Sequence, residues 1–518
     1  MITPASSDLF CDNLPTSPCP EKGKILITGA TGYIGGRLVP ELSARGYDVR
    51  VMVRRISPEH HEKWPGVEIV EGDALKKESL NAAMNNIHTA YYLIHSLLLG
   101  HQKFEAADIE AAKNFRETAQ ANHIQRIIYL GGLGDGGEFL SRHLKSRKQV
   151  SDELLKGQVP VTTLRAAVII GSGSASYEII KHLVRNLYVL IIPRWVKTRC
   201  QPIGIRDVIK YLVGALETEE TKGRSFDIGG PDILTYEELL KAAAGLIGKT
   251  KLFLPSPISD IRFFAYVVSL LTPVPAPITR CLMEGIVNEV ICKNHDIRQL
   301  IPFQPIPYTM AIKRALERES LYNVSTRWSD AYPRTYTRAK RLNDLDSPPR
   351  FSCTYSIESA KHESSLFHSI LRIGGEEGWF NSNWMWNLRG LLDRMLLGVG
   401  THRGRKSYAN LRINDIIDFW RVEHLILNEL LLLRAEMKLP GKAWLEFSIR
   451  KDLNTTGNIL SVKAYYEPNG IFGIAYWYLF LPFHHYIFND IIIQIEKKSR
   501  RKERYATKDS PQGNGPEK

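Results

Sequence analysis

The chain has 518 residues, of which 44% are hydrophobic and 24% are charged, and its formal net charge is +13. This balance is typical of globular proteins and excludes a wholly disordered chain, and the length predicts at least two domains. The six cysteines lie far apart, with no Cys-x-x-Cys pair and no Cys/His spacing typical of metal sites. The sequence therefore predicts reduced thiols, no metal and a cytoplasmic location.

The positive charge is partly concentrated near the C-terminus, where residues 497–504 hold six basic side chains and one acidic side chain. The simplest interpretation is a solvated basic tail over 497–518. Peripheral contact with an anionic membrane stays open as an alternative, whereas no zinc-finger spacing or aromatic signature supports nucleic acid. Two apolar stretches, 263–277 and 471–483, are too short or too interrupted to span a bilayer. We expect both to be buried, with peripheral membrane contact as the alternative.

The first part of the chain alternates between short apolar runs and amphipathic stretches. Residues 1–22 are rich in Pro, Ser and Asp, and we expect a disordered leader there. Strands are predicted at 24–28, 49–53, 67–70, 90–94, 126–130 and 161–166, with helices at 32–44, 104–122 and 142–156. This βα alternation predicts a doubly wound parallel sheet in an α/β domain over 23–318, which ends in a small substrate lobe.

The sequence changes character after residue 318. Residues 319–350 are charged and contain three prolines, so we expect a linker. Residues 351–496 predict an α+β domain with an antiparallel sheet and a long terminal helix. Within it, Trp379, Trp384 and Trp386 are expected in the core. The charged run 415–424 fits either a strand that carries Arg421 and Glu423 on one face or a helix start, with a structural role in either case.

Glycines at positions 29, 32 and 35 follow the first predicted strand and open the first predicted helix. Gly29 permits a tight turn, Gly32 lets main-chain N–H groups approach a pyrophosphate, and Gly35 allows close packing of helix on strand. Thr31, Tyr33 and Ile34 lie in the same turn and are assigned to the same site. The sequence therefore predicts a Rossmann domain that binds NAD(P).

The ends of the next two strands bear on the choice of nucleotide. NAD-selective sites usually carry Asp or Glu after the second strand, whereas this chain has Arg54 and Arg55. Arginine suits a 2′-phosphate, so we expect NADP, with NAD as the alternative. The other interpretation of both arginines is that they face solvent. Asp73 follows the third strand, where a carboxylate can meet the adenine edge.

The glycine spacing together with Gly72-Asp73 resembles the extended and atypical short-chain dehydrogenase/reductases over residues 24–318. Within that group, the sequence is most similar to regulators of nitrogen metabolite repression. The resemblance implies that Arg165, with Gly171 downstream, lies in the loop beside the nicotinamide. Residues 414–423 and 431–447 are similar to a domain of unknown function that is fused behind such reductases in bacteria. Its shape resembles the helix-grip fold, which implies an apolar cavity.

Active members of the reductase family place Tyr-x-x-x-Lys on the helix after the fifth strand, and this chain departs from that pattern. The corresponding positions are His143 and Arg147, and the serine expected at the preceding strand end is absent. His143 is a candidate acid/base because imidazole titrates near neutral pH, and Arg147 is a candidate for the ribose hydroxyls. Alternatively, His143 only lines the site, and water or another loop supplies the proton.

The resemblance implies an NADPH-dependent oxidoreductase that acts on an apolar carbonyl or quinone-like substrate. The alternative is a protein that binds NAD(P)H without catalysis, as a redox sensor or scaffold. The absence of Tyr and Lys favours that alternative, whereas the complete cofactor motif and the appended domain favour the enzyme.

Overall fold

The computed structural model describes residues 9–95, 104–134, 140–321, 324–330, 341–375, 378–396, 398–400, 411–452 and 457–506. The chain divides into two compact units, Met1–Thr335 and Tyr336–Lys518. Each unit has its own apolar core. Among the described residues, no helix has the length and apolar character needed to cross a membrane.

The first unit contains thirteen described strands. They are β1 (Ile25–Thr28), β2 (Val49–Val53), β3 (Glu68–Glu71), β4 (Thr89–Tyr92), β5 (Arg126–Gly132), β6 (Val161–Ala166), β7 (Ile169–Ile170), β8 (Val189–Ile192), β9 (Arg199–Cys200), β10 (Ile203–Gly204), β11 (Ser225–Ile228), β12 (Leu234–Thr235) and β13 (Leu252–Pro255). Seven of them form one parallel sheet in the order β11-β6-β5-β4-β1-β2-β3. The other six pair two by two as β10-β7, β12-β9 and β13-β8.

Helices cover both faces of the large sheet, and the described part of the first unit contains twelve α-helices in all. They are α1 (Gly35–Ala44), α2 (Pro58–Lys63), α3 (Lys77–Met84), α4 (Phe104–Ala121), α5 (Arg142–Leu155), α6 (Ala175–Asn186), α7 (Ile205–Glu217), α8 (Tyr236–Ile247), α9 (Ile261–Leu271), α10 (Ala276–Ile286), α11 (Ile297–Leu300) and α12 (Tyr308–Ser320). Successive strand residues point to opposite faces, so Ile27 packs with α1 and α7, while Leu26 packs with α3, α4 and α5. The predicted doubly wound sheet is confirmed.

The segment before β1 differs from the disordered leader predicted for residues 1–22. Among its described residues, Phe10, Cys11 and Leu14 are buried against the core of the sheet. The main-chain N–H groups of Phe10 and Cys11 donate to the carboxylate of Glu41 at 2.6 and 3.0 Å. A buried carboxylate on α1 needs such donors, and the apolar side chains beside it gain burial, so the segment is held in place.

The second unit is built on an antiparallel sheet of six strands in the order β14-β19-β18-β17-β16-β15. The strands are β14 (Phe351–Ser359), β15 (Ile416–Ile417), β16 (Trp420–Ile426), β17 (Leu430–Ala435), β18 (Gly441–Lys451) and β19 (Asn458–Pro468). The helices are α13 (Glu363–Ile370), α14 (Asn383–Met395) and α15 (Gly470–Ala506), of which α15 packs on β14 and β19. The predicted α+β domain with a long terminal helix is confirmed, whereas the boundaries at 318 and 350 and the apolar cavity stay predictions.

The charged run of the second unit spans β15, a turn and the start of β16, so Arg421 and Glu423 lie on a strand. Arg421 on β16 stands opposite Arg434 on β17, and its guanidinium forms an ion pair with the buried carboxylate of Glu436. The tryptophan prediction holds for two of three residues. The rings of Trp379 and Trp386 are buried 4.7 Å apart, whereas the Trp384 side chain is 62% exposed.

Candidate functional site

The glycine-rich turn lies at the carboxyl end of β1, in the middle of the sheet. Gly29 adopts a left-handed backbone with φ of 69°, and a Cβ there would lie 2.5 Å from the Leu93 carbonyl oxygen. A Cβ at Gly35 would lie 2.5 Å from the Gly29 oxygen. A Cβ at Gly32 would meet only that same oxygen, at 3.1 Å. Packing therefore demands glycine at 29 and 35, while the outer side of Gly32 is open to a ligand.

The residues between these glycines form a turn, because α1 begins at Gly35 rather than at Gly32. Thr31 is half-buried, and Ile34 packs against the core. The carbonyl of Tyr33 accepts from the Thr326 hydroxyl at 2.8 Å, and the Tyr33 ring lies 4.3 Å from the Arg37 guanidinium carbon. Contacts with Thr326 and Arg37 therefore hold the Tyr33 end of the turn.

Arg37 anchors this turn and was not identified from the sequence. Its guanidinium is buried and donates to the carbonyl oxygens of Ser172 at 2.9 Å and Thr326 at 3.1 Å. These partners lie 135 and 289 residues away in the chain, so no local pattern signals them. Burial lowers the pKa of Arg37, yet its hydrogen bonds to carbonyl oxygens retain the charged form.

The residues expected around the adenine end lie at neighbouring strand ends. The main-chain N–H of Gly72 donates to the Val53 carbonyl at 2.8 Å, which joins the end of β3 to the end of β2. Arg54 and Arg55 follow β2 and are exposed. Asp73 is half-buried, and its carboxylate accepts from the Leu75 N–H at 3.2 Å. Two guanidinium groups therefore follow β2, which is next to β1, and one carboxylate follows β3, the strand beyond it.

The two catalytic candidates stand one turn apart on α5. Arg147 is buried, and its guanidinium lies 4.8 Å from the Tyr129 ring. It donates to the carbonyl of Leu130 and, at 3.4 Å, to the carbonyl of Ile94. The Ile94 carbonyl follows β4, and the Leu130 carbonyl lies near the end of β5. Arg147 therefore binds the protein main chain at the carboxyl ends of these two strands. Its predicted contact with ribose stays a prediction.

His143 is joined by a second imidazole that the sequence did not reveal. The ring of His95, just after β4, lies 5.1 Å from the ring of His143. Nδ1 of His95 donates to the buried carboxylate of Asp108 on α4 at 3.1 Å. Nε2 of His95 and Nδ1 of His143 are buried and have no hydrogen-bond partner among the described residues. The position of His95 at a strand end was the one available signal.

The electrostatic environment keeps His143 neutral. Burial lowers the pKa of His143 well below its usual value, and the neighbouring His95 and Arg147 lower it further. Burial also lowers the pKa of His95, although its hydrogen bond to Asp108 opposes this effect. A neutral imidazole accepts a proton at one nitrogen, so this pair suits proton transfer at a sheltered position.

Arg165 lies away from the glycine turn. It is on β6, three strands from β1, which corresponds to about 14 Å. Its guanidinium forms an ion pair with the buried carboxylate of Asp227 on β11 at 2.6 Å. Arg165 thus lies within β6 rather than in a loop, and Asp227 orients its side chain. Its predicted place beside the nicotinamide stays a prediction.

Comparisons with known proteins agree with this architecture. The family described as NAD(P)H-binding matches residues 29–181, and a protein family of unknown function, DUF2867, matches residues 349–491. The photosystem II assembly factor Ycf39 of Trieres chinensis is 25% identical over 247 residues, which is 46% of this chain and 76% of that protein. The mitochondrial NADH dehydrogenase [ubiquinone] 1 alpha subcomplex subunit 9 of Arabidopsis thaliana is 26% identical over 45% of this chain and 60% of that protein.

Among solved structures, the triphenylmethane reductase of Citrobacter sp. complexed with NADP(H) is similar to this chain with a TM-score of 0.47 and 20% identity. The similarity covers 56% of this chain and 99% of that one. The two family matches show an NAD(P)H-binding domain followed by a DUF2867 domain, and the relatives of this chain are similar to the atypical short-chain dehydrogenase/reductases.

Proposed function

We propose that the protein is an NADPH-dependent oxidoreductase that acts on an apolar carbonyl or quinone-like substrate. The observation that carries this proposal is the pair of neighbouring half-buried imidazoles, His95 and His143, each with a buried ring nitrogen that has no hydrogen-bond partner among the described residues. They lie at the same carboxyl edge of the sheet as the open glycine turn. A buried ring nitrogen without a hydrogen-bond partner costs stability, so its presence points to a functional role, and perturbed pKa values cluster at functional sites.

The residues present fit the expected dinucleotide. The open side of Gly32 lets main-chain N–H groups of the turn hold the pyrophosphate at the start of α1. Arg54 and Arg55 supply positive charge for a 2′-phosphate, and Asp73 supplies an acceptor for the adenine amino group. When bound, the nicotinamide supplies or accepts a hydride, and the protein handles the accompanying proton.

His143 is the group we assign to that proton. In reduction, the carbonyl carbon gains the hydride and its oxygen gains one proton, which protonated His143 donates from a ring nitrogen. In oxidation, neutral His143 accepts the hydroxyl proton. The hydrogen bond to the Asp108 carboxylate places the proton of neutral His95 on Nδ1. Nε2 of His95 is therefore left as an acceptor beside His143.

The depressed pKa of His143 gives the pH dependence its sign. Because the protonated form is the minor one at neutral pH, we expect reduction to accelerate as pH falls from 8 toward about 5. Oxidation should change little over the same interval, because neutral His143 already predominates. A reduction rate that stays flat with pH in the wild type would contradict the assignment.

The central experiment measures NADPH oxidation by the full chain with a panel of quinones and apolar carbonyls. His143→Gln should lower kcat by about 100-fold or more while the Kd for NADPH stays within about twofold of the wild type. The matched control is His295→Gln, since His295 is exposed. An unchanged rate in His143→Gln would remove His143 from the chemistry.

Nucleotide preference is tested separately. The double variant Arg54→Gln/Arg55→Gln should weaken NADPH by about tenfold or more and leave NADH nearly unchanged, because only NADPH carries the 2′-phosphate. Equal losses for both nucleotides would contradict the proposed choice of NADPH.

A second function, binding of NAD(P)H as a redox sensor or scaffold, is favoured by one observation. Arg147, at the position of the family's lysine, donates to carbonyls of Leu130 and Ile94. Tight binding of NADPH without turnover of any acceptor would support this second function over the first. The cytoplasmic location stays a prediction under either function.

A further inference from the structure

The first five turns of α15 are mostly apolar, and besides the tyrosines their polar side chains are His484, His485 and Asn489. From 470 to 489 the helix contains no Asp, Glu, Lys or Arg. One side packs on the sheet, where the Trp477 ring stacks on Phe351 at 5.4 Å and on Tyr466 at 5.7 Å. A helix beside a sheet is normally polar on its other side, because that side meets water.

The other side of α15 is instead an exposed apolar stripe. Its large members, with their exposed fractions, are Ile471 (75%), Phe472 (80%), Tyr478 (61%), Leu479 (67%), Phe483 (48%) and Tyr486 (60%). We call these six residues the α15 stripe. The expectation that residues 471–483 are buried is wrong for the five of these side chains that lie in that range. Contiguous exposed apolar surface of this kind marks an interaction site.

The stripe continues into positive charge along the same helix. It extends about 22 Å from Ile471 to Tyr486 at the rise of an α-helix. Ile493 is 42% exposed on the following turns, and Lys497, four residues later, is also exposed. Residues 497–504 contain six basic side chains and one acidic. In the sequence, the exposed aromatic segment is therefore followed by a cationic segment, 497–504, which begins with the exposed Lys497 and Lys498.

We propose that α15 docks on the surface of an anionic lipid bilayer. The α15 stripe would enter the boundary between headgroups and acyl chains, where Phe inserts and the Tyr hydroxyls remain in the polar layer. The cationic segment 497–504 would lie against anionic headgroups. A second copy of this chain would bring the same positive charge, so charge complementarity favours the bilayer. This inference is independent of the proposed reaction.

The test is co-sedimentation of the full chain with vesicles of phosphatidylcholine alone or with about one third phosphatidylglycerol. The wild type should sediment mainly with the anionic vesicles, and the bound fraction should fall as salt is raised. Phe472→Glu/Phe483→Glu should lower the partition coefficient about tenfold or more. Leu427→Glu is the matched control, because Leu427 is 72% exposed in the turn between β16 and β17.

Three results would overturn the proposal. One is no sedimentation of the wild type with either vesicle, and another is equal sedimentation of the Phe472/Phe483 double variant and the wild type. The third is a wild-type dimer, by light scattering, that the double variant converts to monomer without any vesicle binding, which would assign the stripe to a second copy. Thermal melting and the Kd for NADPH should match the wild type in each variant, since all three positions are exposed.

Discussion

Substitution of Gly32 by valine separates nucleotide binding from folding. Gly32 has no left-handed backbone requirement, and a Cβ there would meet only the Gly29 oxygen at 3.1 Å. The protein should therefore tolerate the side chain at a cost below about 1 kcal/mol. On the open side, the same side chain occupies the space through which main-chain N–H groups reach the pyrophosphate.

The expected loss of affinity follows from the hydrogen bonds displaced. A bond from an N–H group to a charged phosphate contributes about 1.5–3 kcal/mol. Loss of one such bond raises the Kd for NADPH about 10- to 100-fold, since each 1.4 kcal/mol is a factor of ten. Gly35→Val should behave in the opposite way, because its Cβ meets main-chain atoms of Gly29 and Ala30 at 2.5 and 2.8 Å. It should lower stability by about 2 kcal/mol or more.

Calorimetric titration with NADPH and NADH, paired with thermal melting, measures both quantities. Gly245→Val is the control, because a Cβ at that exposed helical position meets no atom within 4 Å. Unchanged affinity in Gly32→Val would refute the reasoning, because the phosphates would then lie elsewhere. Unfolding of Gly32→Val would also refute it, since the turn would not be open as described.

Three further perturbations test the fold. Burial raises the pKa of Asp207 from 3.8 to about 6, so the folded state binds the proton more tightly and stability falls as pH rises across that interval. Asp207→Asn, which keeps an acceptor for the Ile306 N–H, should raise Tm at pH 7 and remove this dependence in melts from pH 4 to about 7; a lower Tm at pH 7 would contradict it. Glu436→Gln removes the carboxylate that pairs with the buried guanidinium of Arg421 and should cost about 3 kcal/mol in urea unfolding, whereas a loss well below 1 kcal/mol would show that the pair is dispensable. Phe10→Ala should cost about 3 kcal/mol in the same assay, while a loose leader would give no change.

The sequence alone was sufficient for the architecture of both units and for the glycine turn. The periodicity of apolar residues reflects local backbone geometry, so β1, β2 and the succession of parallel βα units could be predicted from short stretches of sequence. Gly29 and Gly35 were predictable for the same reason, because a strand that enters a tight turn before a helix requires glycine at those points. The antiparallel sheet and the terminal helix of the second unit followed from similar patterns and from the family resemblance.

Only the tertiary structure decided which groups meet and which stay exposed. Asp108 pairs with His95 from a neighbouring helix, and Arg37 bonds to Thr326 across 289 residues, contacts that no window of sequence contains. Phe10 lies in a polar stretch of sequence and is buried, whereas Phe472 lies in an apolar stretch and is 80% exposed, so burial depends on what packs beside each side chain. Local sequence sets backbone geometry, whereas burial, pKa and access depend on distant atoms brought together by folding.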